Sequence, residues 1–385
     1  MSWVCIRVMH IITGLHTGGA ETMLLKLLSV HDAVRFKPVV VALGGRGPIA
    51  DKIESLGITV CCLEMVGNRP SPVAIWRLLK LVQQYKPQVI QGWMYHGNLA
   101  ATLAGCLTPG NMPVLWNIRQ ALHELRRDKR MTAMIIRLGA RLSFLPRGII
   151  YNSRISAKQH EKLGYASKRT LILPNGFDCE LFSPSLEARA SLRQQLGIPN
   201  DTKLIGLVAR WHPVKDHANF IAAAARLASI RGDAQFVLVG TNIDGKNREL
   251  MELIDGAGLR DKMHLLGERT NLSEITAALD IATSSSLSEA FPNVIGEAMA
   301  CGVPCVVTDV GDSAAIVGET GKVVPPKDSD ALAIGWDNIL GLSLEQRKRL
   351  GDAARQRILD NFSLPSIVAQ YESLYVRVIN NTALA

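Results

Sequence analysis

A chain of 385 residues, 48% hydrophobic and 20% charged, has apolar material for two or three folded domains, which excludes a long disordered or low-complexity protein. The formal net charge of +9, from 43 basic and 34 acidic residues, favours anionic partners, but no zinc-finger spacing or aromatic-rich basic motif supports nucleic acid. Seven irregularly spaced cysteines (Cys5, Cys61, Cys62, Cys106, Cys179, Cys301, Cys305) form no C-x-x-C pair, which points to reduced thiols in a cytosolic compartment.

The first apolar run, W-V-C-I-R-V-M-H-I-I, is interrupted by Arg7 and His10 and leads to no small-residue cleavage site. It reads as a buried strand and not as a signal peptide. Short apolar runs then alternate with helical segments, the pattern of a parallel-sheet α/β domain. Strands are predicted at 5–12, 38–43, 59–63, 89–92, 114–117 and 148–152, with helices at 20–30, 49–56, 72–84 and 98–106. After the first strand, T-G-L-H-T-G-G-A-E-T sets Gly18 and Gly19 where backbone can approach a ligand, before a helix whose N–H groups suit an anion. After the fourth, G-W-M-Y-H-G-N-L puts His96 at the strand's C-terminal edge; His16, His123 and His212 are weaker candidates. Arg119 follows the next strand, placed to reach a ligand at the same edge.

Arg119, Arg126, Arg127, Lys129, Arg130, Arg137, Arg141 and Arg147 crowd the segment 119–147. Within it R-M-T-A-M-I-I-R-L-G-A-R-L-S-F-L is predicted as a helix with a basic and an apolar side. Two readings stay open: peripheral contact with an anionic bilayer, worth roughly 1 kcal/mol per basic residue near the surface, or an ordinary helix with its apolar side against its own domain. No run of about 18 apolar residues indicates a membrane span.

A second series follows the turn signal Asn175-Gly176. Its strands are predicted at 203–209, 235–240, 263–266, 281–284, 305–308 and 322–324, and its closing helices at 328–340, 344–361 and 364–379. In G-L-V-A-R-W-H-P-V-K-D-H, Arg210 emerges from a strand end and Lys215 follows near a helix start. A nucleotide diphosphate needs such cations, since one charge pair at about 4 Å is worth about 4 kcal/mol at an effective dielectric of about 20. In S-E-A-F-P-N-V-I-G-E-A-M-A-C-G-V-P, residues 288–304, Glu289 and Glu297 stand eight positions apart across a strand-to-helix junction. Phe291-Pro292 forms a turn, Asn293 is expected to cap the helix, and Gly302 with Pro304 ends it. Glu289 then lies in the loop and Glu297 about one turn inside the helix, both able to face a ligand across the helix N-terminus.

The 288–304 stretch resembles the E-x7-E signature of the retaining nucleotide-sugar glycosyltransferases of family 4, S-x-x-E-x-F-P-x-x-x-x-E-A-M-A-x-G-x-P-V-V. The resemblance implies that Glu289 contacts hydroxyls of the donor sugar and Glu297 the ribose, with Phe291 and Asn293 among the donor-binding residues. Residues 206–217 are similar to the family's G-R-x-x-x-x-K-G segment, where Arg210 and Lys215 would hold the diphosphate. Ala209 and Asp216 replace its two glycines. Residues 13–22 resemble the G-G-A-E loop over the donor phosphates. The family's loop histidine sits nearer its strand, in H-x-H, where this chain has Gln91 and Trp93; His96 is the matching candidate. Gly240 and the 267–270 loop, with Arg269, would frame the nucleobase. V-G-D-S-A, residues 310–314, departs from the usual G-G-x-x-E.

The implied fold is α/β: two Rossmann-like doubly wound parallel-sheet domains facing a cleft, the GT-B arrangement. Residues 1–170 would form the acceptor domain, with 364–385 packing back on it, and 171–363 the donor domain. The implied enzyme moves a hexose-type sugar, with retention, from a nucleotide-diphosphate sugar to a hydroxyl acceptor, a lipid-linked or envelope glycan intermediate. His96, Glu289, Arg210 and Lys215 would be its catalytic residues. No D-x-D cluster stands in a suitable loop, so no metal and no cofactor are expected, and the location is expected to be cytoplasmic or peripheral on the cytoplasmic membrane face. A sugar-nucleotide epimerase and a non-catalytic nucleotide-sugar-binding scaffold remain as alternatives.

Overall fold

The structure is a computed structural model, and it describes residues 5–65, 71–110, 112–122 and 130–382. His123, Arg126, Arg127 and Lys129 lie outside the described residues. The chain divides into two compact units, one of Met1–Gly176 with Leu364–Ala385, the other of Phe177–Ser363.

The first unit is built on β1 (Ile6–Ile12), β2 (Phe36–Ala42), β3 (Thr59–Cys62), β4 (Val89–Trp93), β5 (Val114–Ile118), β6 (Gly148–Tyr151) and β7 (Thr170–Ile172). Every pairing is parallel, in the order β3-β2-β1-β4-β5-β6-β7. Parallel neighbours need crossovers, supplied by α1 (Gly19–Val30), α2 (Pro48–Glu54), α3 (Pro72–Tyr85), α4 (Met94–Leu107), α5 (Arg130–Leu142) and α6 (Arg154–Lys162). Helices on both faces explain why strands such as β4 and β5 are buried at every residue, the polar Gln91 and Asn117 included.

Two of these elements were not predicted. β7 is an edge strand of three residues, none of them buried, and its pairing with β6 carries the first sheet to residue 172. α6 is a polar helix whose few buried residues are Ser156, Ala157 and His160, so apolar periodicity misses it. Its real signal is the cap: Ser153 Oγ accepts from Ser156 N at 2.9 Å.

The second unit has β8 (Lys203–Val208), β9 (Ala234–Val239), β10 (Met263–Leu265), β11 (Ile281–Ser284), β12 (Cys305–Thr308) and β13 (Lys322–Val324), in the parallel order β10-β9-β8-β11-β12-β13. Around them run α7 (Leu186–Leu196), α8 (His217–Ile230), α9 (Arg248–Gly256), α10 (Leu272–Ala277), α11 (Asn293–Ala300), α12 (Ser313–Val317), α13 (Ser329–Leu340) and α14 (Leu344–Phe362). Both sheets reverse direction beside their first strand, between β1 and β4 and between β8 and β11. Doubly wound sheets bind ligands outside the strand C-termini at that reversal.

The last helix, α15 (Leu364–Ile379), belongs to the first unit. Leu364, Ile367, Val368, Tyr371, Leu374 and Tyr375 join one core cluster with Val8, Leu24, Leu27 and Trp93. Its buried hydroxyls are paired: Tyr375 Oη donates to Gln91 Oε1 at 2.6 Å, and Tyr371 Oη accepts from Asn117 Nδ2 at 3.1 Å.

Candidate active site

In the second unit the loops after β8 and β11, distant in sequence, are joined. Leu287 N donates to the Val214 carbonyl at 2.7 Å, and Ser285 Oγ to the Lys215 carbonyl at 2.8 Å. Across this seam Lys215 Nζ forms an ion pair with Glu289 Oε1, the side chains 26% and 15% exposed. Ser286 Oγ donates to the same oxygen at 2.7 Å. One carboxylate oxygen is thereby fixed by an ammonium and a hydroxyl, in a setting screened from bulk water. Charge-assisted bonds of this kind are roughly twice as strong as neutral ones. Arg210 is exposed just past the end of β8.

Asp216 stands where the related pattern has glycine, and its φ of +49° shows why glycine is suited there. Aspartate is among the few side chains that visit this left-handed region. Here it also caps α8, Oδ1 accepting from Asn219 N at 3.3 Å. Burial raises the Asp216 carboxyl above its ordinary range, against the opposing bond from Asn219.

Two glycines let neighbouring loops close on these side chains. A Cβ at Gly240 would lie 2.3 Å from the Ala209 carbonyl oxygen, so only glycine lets the end of β9 abut the Arg210 backbone. A Cβ at Gly311, φ +58°, would lie 2.5 Å from the Glu289 carbonyl oxygen, and Asp312 N donates to the Ala290 carbonyl at 3.0 Å. Gly311 and Ser286 are the residues that sequence reasoning missed. V-G-D was set aside because it departs from the family pattern, and Ser286 was one of three successive serines. The Gly267 carbonyl accepts from Gly240 N at 2.8 Å, and beyond it Arg269 is half-buried. Arg269 Nε is shut off from solvent without a hydrogen-bond partner.

Asn293 does not cap its helix. It is the first residue of α11, Pro292 occupies the cap position with φ −74°, and no side chain closes the first turn. The proline ring presets this backbone angle. Phe291 is directed into the core, 6.1 Å from Phe177 in a stacked pair and 6.0 Å from Phe362. At the other end Gly302, φ +70°, donates to the Met299 carbonyl at 2.9 Å and Val303 N to that of Ala298 at 3.0 Å, the left-handed stop expected there. Glu297 is half-buried in the second turn of α11.

In the first unit α4 starts four residues earlier than predicted, at Met94 directly after β4. Met94 has φ +58°, an uncommon conformation for a long side chain. Close packing enforces it: a Cβ at Gly92 would lie 2.5 Å from Asn98 Cα, and one at Gly97 2.4 Å from the Ile11 carbonyl oxygen. His96 therefore sits in the first turn of α4, half-buried, and burial pushes its imidazole below the usual range, so it is neutral near neutral pH. Gly18 precedes α1 and Gly19 opens it. Glu21 lies over this turn, since a Cβ at Gly18 would fall 2.3 Å from Glu21 Oε2. The chain's own acid thus meets part of the positive helix end.

Arg119 is committed within its own unit. It donates to Tyr371 Oη at 2.9 Å, to Asn117 Oδ1 at 3.2 Å and to Asn175 Oδ1, with its guanidinium 5.7 Å from the Trp93 ring centre. His10 is a core residue, accepting from Trp93 Nε1 at 3.2 Å and held neutral by burial, which lowers its pKa to about 3. His16 and His212 are exposed, and His212 Nδ1 accepts from Val214 N at 3.2 Å. Among the described residues no group of three or more His, Cys, Asp or Glu side chains could hold a metal ion, and no helix is long and apolar enough to cross a membrane.

Residues 17–181 match the family model "Glycosyltransferase Family 4", and residues 188–357 match "Glycosyl transferases group 1". The N-acetyl-alpha-D-glucosaminyl L-malate synthase of Bacillus anthracis is 29% identical over 195 residues, 49% of each chain. The UDP-Gal:alpha-D-GlcNAc-diphosphoundecaprenol alpha-1,3-galactosyltransferase of Escherichia coli is 26% identical over 224 residues, 54% of each chain. The chain thus spans about half the length of these curated relatives. The crystal structure of HepE from Anabaena in complex with UDP superposes with a TM-score of 0.83, at 22% identity, over 96% of this chain and 100% of that one, a likeness of fold. With two family models running in succession over two doubly wound sheets of the GT-B kind, the chain belongs to glycosyltransferase family 4.

Proposed function

We propose that the protein transfers a hexose from a nucleotide-diphosphate sugar to a hydroxyl of a glycan or lipid-linked acceptor, with retention at the anomeric carbon. The observation that carries this reading is the Lys215–Glu289–Ser286 cluster at the reversal between β8 and β11, flanked by exposed Arg210. Lys215 and Arg210 take the diphosphate, whose charge grows as the sugar leaves; preorganised cations act most strongly on such developing charge. Glu289, its carboxylate fixed by two donors, orients hydroxyls of the sugar, and Glu297 holds the ribose. Gly240 and the 267–270 loop frame the base. The unsatisfied Arg269 Nε, which costs about 1–3 kcal/mol as it stands, would gain an acceptor there.

In the reaction the bond from the anomeric carbon to the phosphate oxygen breaks and a bond to the acceptor oxygen forms on the same face. The leaving phosphate oxygen takes the acceptor proton, so no side chain has to act as base. His96, neutral in its buried setting, positions the acceptor or the sugar. The diphosphate charge is met by side chains, so the reaction runs without a metal and should be insensitive to EDTA. Uridine is the first base to test, since HepE was crystallised with UDP and the E. coli relative is named for UDP-Gal. The enzyme would act on the cytoplasmic side of an anionic membrane, where α5 presents exposed Arg137 and Arg141.

NMR of the products formed from a nucleotide sugar tests the reading. We expect nucleotide release with the anomeric configuration kept, and a loss of at least about 100-fold in Lys215→Ala with the fold unchanged. Isomerisation of the donor without acceptor would instead mark an epimerase. Full turnover in Lys215→Ala would remove the phosphate assignment.

A further inference from the structure

Beside the carboxyl ends of β2, β3 and β4, helices α3, α4 and α5 of the first unit enclose a groove of about 340 Å³, with α4 packed between the other two. Leu78 of α3, Leu99 and Leu103 of α4, and Met134 and Leu138 of α5 form its walls. Of the described residues that line it, His96 alone has a polar side chain, and it lies in the first turn of α4 at the carboxyl end of β4. The α5 helix turns two apolar sides to different places. Ile136 is fully buried against its own domain, whereas Met131, Met134 and Leu138 line the groove and stay 55%, 56% and 44% exposed. One apolar side of this basic helix is thus core, as an ordinary helix of its own domain requires, and the other lines the groove.

The wall chemistry selects the occupant. A peptide would bring N–H and C=O groups that these walls cannot satisfy, at a cost for each one buried, whereas a hydrocarbon chain brings none. Leucine and especially methionine side chains adapt to an irregular aliphatic shape. The surroundings select the head group. α3, α4 and α5 carry no Asp or Glu, and Arg77 on α3 and Arg137 and Arg141 on α5 stand exposed, with one acid, Glu64, exposed between the lining residues Leu63 and Met65. An apolar trough whose flanking helices are basic, with His96 its one polar lining side chain among the described residues, complements an amphiphile with one anionic end. We propose that this groove seats the aliphatic chain of a phosphate- or diphosphate-headed lipid, head toward His96, and that this lipid is the acceptor. The second half of that statement rests on the transferase reading above; the first half does not.

Farnesyl phosphate, kept below micelle formation, is the probe, and calorimetric titration of the whole protein is the measurement. Met134→Glu and Leu138→Glu alter exposed side chains of the groove, and Leu107→Glu, 54% exposed on α4 and outside the groove lining, is the control for added surface charge. We expect the wild type to bind, the two groove variants to weaken binding at least about tenfold, and the control to stay within about twofold. Inorganic pyrophosphate should not compete. No binding by the wild type, equal weakening in all three variants, or binding only to phosphatidylglycerol vesicles and equally by Met134→Glu would overturn the groove. UDP titrated into the same proteins separates the two claims. Unchanged UDP binding in Met134→Glu with farnesyl phosphate lost supports a lipid site distinct from the donor site. Farnesyl phosphate binding in a wild type that binds no nucleotide would keep the lipid groove and overturn its role as acceptor site.

Discussion

Asp216 shows how one side chain can meet two local demands. The chain needs a left-handed residue between the Pro213–Lys215 turn and α8, and it needs a cap for that helix. Glycine meets the first demand and aspartate both, which accounts physically for the departure from the family pattern. Asp216→Gly should therefore change stability by no more than about 0.5 kcal/mol, as strain relief offsets the lost cap, whereas Asp216→Ala should cost about 1–3 kcal/mol. Urea titrations of the two variants check this, and equal losses would contradict it. The neighbouring Lys215 and Glu289 were both legible in the sequence as residues of interest. Their ion pair was not, because a pairing between positions 215 and 289 depends on which strands are neighbours, and strand order is a property of the whole sheet.

Elements were legible where apolar pattern and caps agree. The twelve predicted strands are all present, and the central ones, buried on both faces, leave the strongest apolar pattern. β7 escaped because an edge strand buries little, and α6 because its helix is polar. The start of α4 was displaced because Met94 takes a left-handed backbone that no propensity favours; packing of Gly92 and Gly97 imposes it. Junctions of this kind can be tested by adding one carbon. A Cβ at Gly296 would lie 2.1 Å from Phe177 Cζ, at the contact where α11 meets the aromatic cluster that also buries Phe291. Gly296→Ala should cost about 3 kcal/mol, the upper range for overpacking, and lower Tm by several degrees. An unchanged Tm would mean that α11 does not dock there. At α15, Tyr371→Phe removes the oxygen shared by Asn117 and Arg119, and leaving buried donors unpaired should cost about 1–3 kcal/mol.

At the scale of the whole molecule, buried histidines couple stability to pH. Burial lowers the pKa of His10 to about 3 and of His160 and His217 to about 4, against a reference of 6.5. Above the unfolded value all three are neutral in both states and contribute no pH dependence. As pH falls below it, the unfolded chain binds protons that the fold excludes, so stability drops toward pH 4, by up to about 1.4 kcal/mol per pH unit for each histidine. The raised carboxyls of Glu21 and Asp216 act in the opposite sense at lower pH but are only half-buried. Urea unfolding from pH 7 to pH 5 should show this fall, and a flat profile would contradict it.

The central claim is that the loops after β8 and β11 bind a nucleotide diphosphate through Lys215 and Arg210. Thermal-shift titration with UDP, GDP and ADP, on wild type and on Arg210→Ala and Lys215→Ala, tests it most directly, since a ligand of the folded state stabilises by about 2.7 kcal/mol at a hundred times its Kd. We expect one nucleotide to raise Tm in the wild type and neither variant to respond. A wild type indifferent to all three, or variants that respond as the wild type does, would contradict the account.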